Sequence, residues 1–70
     1  MGISIGGRTL GSVGCGNIGQ EMFREARSLG FGRFLACDPH VTQEQVKDLG
    51  VELVDIDTLF RESDFVTVNT

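Results

Sequence analysis

Apolar positions fall in short runs separated by polar or glycine-rich turns, and the period of each run names its element. Thr9-Leu10-Gly11-Ser12-Val13 reads as a short strand closed by the turn Gly14-Cys15-Gly16-Asn17-Ile18-Gly19. From Ile18 the period becomes helical. Ile18, Met22, Phe23, Ala26 and Leu29 share one face, with Gln20, Glu21, Arg24 and Arg27 opposite. Gly30 stands where a helix end favours positive φ. Arg33-Phe34-Leu35-Ala36-Cys37 suits a buried parallel strand, ended by Asp38-Pro39. Thr42 and Gln45 form a capping box, flanked by Val41 and Val46 at the staple positions; Leu49 completes that apolar face and Gly50 ends the helix. Val51-Glu52-Leu53-Val54 is a third strand. Asp57 is expected to cap a short helix through Glu62 that buries Leu59 and Phe60. Phe65-Val66-Thr67-Val68 is the fourth strand.

The order β-α-β-α-β-α-β is the pattern of an α/β domain with a parallel sheet and right-handed crossovers. It predicts half of a Rossmann-type doubly wound sheet in the order 3-2-1-4, with the first two helices on one face and the third on the other. At 70 residues the chain makes one small domain, and domains of this size bury a modest share of their surface. No linker or internal repeat divides it.

The glycine turn carries the candidate chemistry. Gly14-x-Gly16-x-x-Gly19 follows a strand, opens a helix and is trailed by Asp38 at the end of the next strand. Dinucleotide-binding turns place such an acid about 20 residues on. Gly14 makes the tight turn, Gly16 lets a pyrophosphate approach the backbone, and Gly19 lets the helix pack closely. Free N–H groups and the positive end of the helix dipole would hold the phosphates. Asp38 would accept from the adenosine ribose hydroxyls and repel a 2′-phosphate, which favours NAD over NADP. Structural readings compete: the glycines serve any strand–helix turn, and Asp38 before Pro39 starts a turn by itself. His40 reads as a solvent-facing loop residue. Cys15 and Cys37 read as reduced, buried thiols.

Composition narrows the classes. The net charge of −4 and pI near 4.6 oppose nucleic-acid binding. Charge is uneven: residues 1–35 hold four Arg against two Glu, whereas residues 36–70 hold Lys47 and Arg61 against eight acids. One His and two Cys without C-x-x-C spacing oppose a structural zinc site. Two cysteines make one disulfide at most, unlike a disulfide-stapled secreted scaffold. No apolar run approaches a membrane span. Met1 to Arg8 lacks a signal peptide's basic start and apolar core. A cytoplasmic protein is the expectation.

Gly7-Arg8-Thr9-Leu10-Gly11-Ser12-Val13-Gly14-Cys15-Gly16-Asn17-Ile18-Gly19, then Cys37-Asp38-Pro39, then Ser63-Asp64-Phe65-Val66-Thr67-Val68-Asn69, resembles the cofactor domain of D-isomer-specific 2-hydroxyacid dehydrogenases. The resemblance runs from Gly7 to Thr70. Ser12 stands where an aliphatic residue or Thr is more usual, and Asn69 where His is frequent. The resemblance implies NAD binding, with Cys15, Asn17 and Ile18 in the phosphate loop, Asp38 and Pro39 at the ribose, and Asn69 and Thr70 near the cofactor. The Arg, Glu and His that the family uses for hydride transfer lie beyond the matched segment, so no catalytic residue is expected in this chain, nor is the family's separate substrate domain.

Three roles follow as expectations. The first is a binding half-domain for NAD, ADP-ribose or AMP that is not catalytic alone. The second is part of an enzyme that works only with a substrate domain supplied by a partner. The third is a structural fragment with little ligand binding. FAD- and S-adenosylmethionine-binding relatives share the fold, but the Asp38-Pro39 and Asp64-to-Asn69 segments fit the hydroxyacid family better. In each case the fourth strand would be an open apolar edge. A homodimer or higher oligomer through Phe65–Val68 and the exposed sheet face is the expectation.

Overall fold

A computed structural model describes residues 6–69. Strands β1 (Thr9–Val13), β2 (Arg33–Cys37), β3 (Val51–Leu53) and β4 (Phe65–Val68) form one sheet in the order β3-β2-β1-β4. All pairs are parallel, with Leu10 level with Phe34 and Phe65, and Phe34 level with Val51. This is the topology the alternating pattern predicts. The helices are α1 (Asn17–Arg27), α2 (Gln43–Val46), continued by a 3₁₀ turn at Lys47–Leu49, and α3 (Ile56–Glu62).

Strand alternation separates two cores. On one face Leu10, Phe34, Ala36 and Val51 pack with Phe23 and Ala26 of α1 and Val46 of α2. Phe23 meets Phe34 edge-to-face at 5.2 Å, a geometry that aromatic quadrupoles favour. On the other face Leu35 and Leu59 of α3 are both fully buried. Gly11 makes that contact possible. A Cβ there would collide with the Ser63 hydroxyl and sit 3.1 Å from Leu59.

The capping box forms as expected: Thr42 accepts from the Gln45 amide, and the Gln45 side chain accepts from the Thr42 amide. Val46 is buried, with Val41 packed against the same core. Gly50 takes the left-handed conformation at φ +73° and ends the segment.

Four expectations are corrected. The α3 cap is Asp55, whose carboxylate accepts from the Thr58 amide at 2.7 Å; Asp57 lies inside the first turn. Val54 falls outside β3, and Phe60 is exposed. Ile18 and Leu29 are 75% and 60% exposed, because α1 buries the Gly19-Phe23-Ala26 stripe, turned one residue from the predicted face. By contrast, Gly30 takes the expected positive φ, +96°, in the turn just beyond the end of α1 at Arg27.

Candidate nucleotide-binding site

β1 and β4 are neighbours; the chain leaves β1 into α1 on one face of the sheet and reaches β4 from α3 on the other. The carboxyl ends of these two strands are therefore where a doubly wound sheet reverses direction, the place where such sheets open a crevice. The turn after β1 and Asn69 after β4 meet there. Backbone bonds set the frame: the Gly14 amide donates to the Cys37 carbonyl at 2.9 Å, and the Asn69 amide to the Val13 carbonyl at 2.8 Å.

The three motif glycines have different reasons. Gly14 lies at φ +98°, and a Cβ there would run into the Asn69 carbonyl. Gly19 lies under the same turn, where a Cβ would stand 3.0 Å from the Gly14 carbonyl oxygen. Gly16 has neither constraint: its φ is −74°, and a Cβ would meet nothing within 4 Å among the described residues. The fold requires the first and third glycines, whereas at Gly16 the missing side chain leaves open space beside the loop.

The helix that opens at Gly16 has no side-chain cap and no acid in its first turn. By contrast, α2 and α3 are capped by Thr42 and Asp55. The first N–H groups of α1 thus have no intrahelical acceptor, and they border a crevice of about 520 Å³ lined by Gly16, Asn17, Ile18, Gly19, Val68 and Asn69. Such donors, together with the helix dipole, suit an anion.

Asp38 comes to the loop from β2. One carboxylate oxygen accepts from the Cys15 amide and the other from the His40 amide, each at 2.8 Å. Asp38 closes its own Asx turn across Pro39, and it also reaches the glycine loop. These two amide bonds, Cys15 first, hold its carboxyl below the usual carboxylate range. Each oxygen keeps a further acceptor site for a ligand hydroxyl. Asp38, Pro39, Gly14 and Asn69 line a second crevice of about 270 Å³.

Cys15 is fully buried, and burial followed by the nearby Asp38 charge pushes its thiol up. Both cysteines are free thiols. His40 is exposed. The predicted site residues Gly14 to Gly19, Asp38, Pro39 and Asn69 gather around one loop; Thr70 lies outside the described residues. Ser12 was not anticipated. It is fully buried, accepts from the Asn69 side chain at 2.8 Å, and donates to the Gly14 carbonyl at 2.6 Å. The available signal was that Ser12 and Asn69 both depart from the usual residues. Asp64 belongs elsewhere: at the far end of β1 its carboxylate accepts from the Thr9 amide at 2.8 Å, a structural bond.

Comparison with known proteins follows the same lines. The family described as D-isomer specific 2-hydroxyacid dehydrogenase, NAD binding domain, matches residues 1–70. D-3-phosphoglycerate dehydrogenase of Archaeoglobus fulgidus is 42% identical over 69 residues, covering 99% of this chain and 13% of that protein. Hydroxypyruvate reductase of Thermotoga maritima is 48% identical over 63 residues, 90% of this chain and 19% of that protein. Apo D-lactate dehydrogenase from Escherichia coli superposes with a TM-score of 0.86 at 40% identity, over 99% of this chain and 21% of that one. The NAD-complexed D-isomer specific 2-hydroxyacid dehydrogenase from Lactobacillus delbrueckii ssp. bulgaricus gives a TM-score of 0.80 at 26% identity, over 100% of this chain and 20% of that one. The chain therefore spans about a fifth, or less, of the length of these relatives. Among the described residues, no helix is long and apolar enough to cross a membrane. Strand order, the glycine turn and a match along the whole chain agree, and the chain belongs to the D-isomer specific 2-hydroxyacid dehydrogenase family, within its NAD-binding domain.

Proposed function

We propose that this chain binds the adenosine-diphosphate part of NAD and is not catalytic by itself. The first amides of α1, at Asn17, Ile18 and Gly19, donate to the pyrophosphate, and Gly16 gives the phosphates access to the backbone. Asp38 accepts from the adenosine ribose hydroxyls, and its negative charge disfavours a 2′-phosphate, so NAD is preferred to NADP. When bound, the dinucleotide supplies the hydride acceptor or donor for the 2-hydroxyacid chemistry named in the relatives. The observation that carries this reading is the uncapped N-terminus of α1, opening at the loop to which Asp38 is hydrogen-bonded. Calorimetric titration of the chain with NAD, ADP-ribose and NADP tests it. Saturable binding of the first two, with NADP weaker, is the expected result; no heat from NAD at millimolar concentration, about −4 kcal/mol, overturns it.

A second reading concerns partners. β4 borders the sheet, Val66 and Val68 are exposed on it, and Ile56 and Phe60 are exposed on α3. An edge of this kind pairs readily with another strand. We infer a homodimer in which β4 of one copy pairs with β4 of the next. Sedimentation at micromolar concentration should show a dimer, and a monodisperse monomer sinks the idea.

A further inference from the structure

We propose that Asn69 is a positioning residue for the bound dinucleotide, acting through the Ser12 hydroxyl on the carbonyl of Gly14. The proposal rests on the reading of the loop as the pyrophosphate site. The Gly14 carbonyl can only accept, so the Ser12 proton points to it across 2.6 Å. The Ser12 oxygen must then accept, and the Asn69 Nδ2 donates to it across 2.8 Å. This fixes the orientation of the Asn69 amide, with Nδ2 toward the fully buried Ser12 and Oδ1 turned away.

The arrangement clamps the loop from both sides. On the β2 side the Cys15 amide is held by Asp38. On the β4 side the Gly14 carbonyl is held by Ser12, and Ser12 by Asn69. Asn69 also borders both crevices that flank the loop. Phosphate binding needs the loop amides already aimed, and a loop that visits other conformations binds more weakly by the fraction of time it is misplaced. Ser12 and Asn69 are each other's partners, so the two residues act as one polar clamp.

The test is a double-mutant cycle read by calorimetric titration with NAD, using the 70-residue chain and Ser12→Ala, Asn69→Ala, the double variant and Ser12→Thr. Measurement well below each variant's melting temperature reads the affinity of folded molecules, which a merely structural role leaves unchanged. Each alanine variant should bind about tenfold more weakly, about one hydrogen bond's effect. The double variant should lose about the same factor, since both changes cut one chain of bonds, and Ser12→Thr should keep wild-type affinity because it keeps the hydroxyl. Wild-type affinity in both single variants, or multiplying losses in the double, overturns the proposal. Should Asn69→Ala fail to fold, Ser12→Ala against Ser12→Thr carries the test; failure of both alanine variants to fold makes the pair a core contact and also overturns it. Absence of NAD binding by the wild type overturns the reading of the site, and this proposal with it.

Discussion

Asn69 donates its side-chain amide to the buried hydroxyl of Ser12 at 2.8 Å, across 57 positions of sequence. That bond joins the end of β4 to the strand that carries the glycine loop, and it explains why a polar residue is tolerated at a fully buried position of β1. A buried hydroxyl with both a donor and an acceptor partner avoids the desolvation cost of an orphaned one.

Gly14 and Gly16 should separate folding from binding. Gly14→Ala places a side chain at φ +98° and against the Asn69 carbonyl. The left-handed conformation alone costs about 1–2 kcal/mol, and the collision adds to it. Gly16→Val adds bulk where the chain leaves open space, so its thermal midpoint should stay near wild type while NAD affinity collapses. Calorimetry for both variants, with melting followed by far-ultraviolet circular dichroism, checks the contrast; unchanged NAD affinity in Gly16→Val contradicts the site.

Gly11→Ala should destabilise the chain without touching the loop. The added methyl meets the Ser63 hydroxyl and the fully buried Leu59. Overpacking of this kind costs about 1–3 kcal/mol, which for a domain this small is a fall of several degrees per kcal/mol in melting temperature. Urea unfolding measures it.

The pH dependence at Asp38 has a definite sign. Its carboxyl is held below the ordinary value, first by the Cys15 amide and then by the His40 amide. The unfolded chain therefore takes up this proton at higher pH than the folded one. The stability from this group is fully present above about pH 4–5 and is lost as pH falls through the ordinary value, about 3.9, toward the lower folded one. Asp38→Asn lacks the increment. The stability gap between wild type and variant should be flat from pH 7 to 5 and narrow below 4 in urea titrations. The same variant should narrow the preference for NAD over NADP.

The two thiols should react unequally. Cys15 is fully buried, and burial and the Asp38 charge both disfavour its thiolate, whereas Cys37 is half-buried. N-ethylmaleimide on the folded chain should label Cys37 well before Cys15, and in denaturant the difference should vanish. Peptide mass spectrometry resolves the two; equal rates in the folded state contradict the buried placement.

Local periodicity and capping chemistry determined much of this protein in advance. Strand and helix alternation is a property of neighbouring residues, and parallel connections leave few ways to arrange the strands. The capping box at Thr42 and Gln45 and the pairing of a glycine turn with Asp38 were legible because each depends on short spacings and on residue types with few other uses. Tertiary structure decided the rest. Ile18 and Leu29 fit the helical stripe, yet α1 turned to bury Phe23 against Phe34, because the larger aromatic contact wins over a small rotation. Asp55 rather than Asp57 caps α3, because both acids suit the role and the end of β3 fixes where the chain leaves the sheet. The need for glycine at Gly11, and the meeting of Ser12 with Asn69, depend on residues more than 40 positions apart being brought within bonding distance. No local pattern encodes such a contact; the assembled sheet creates it.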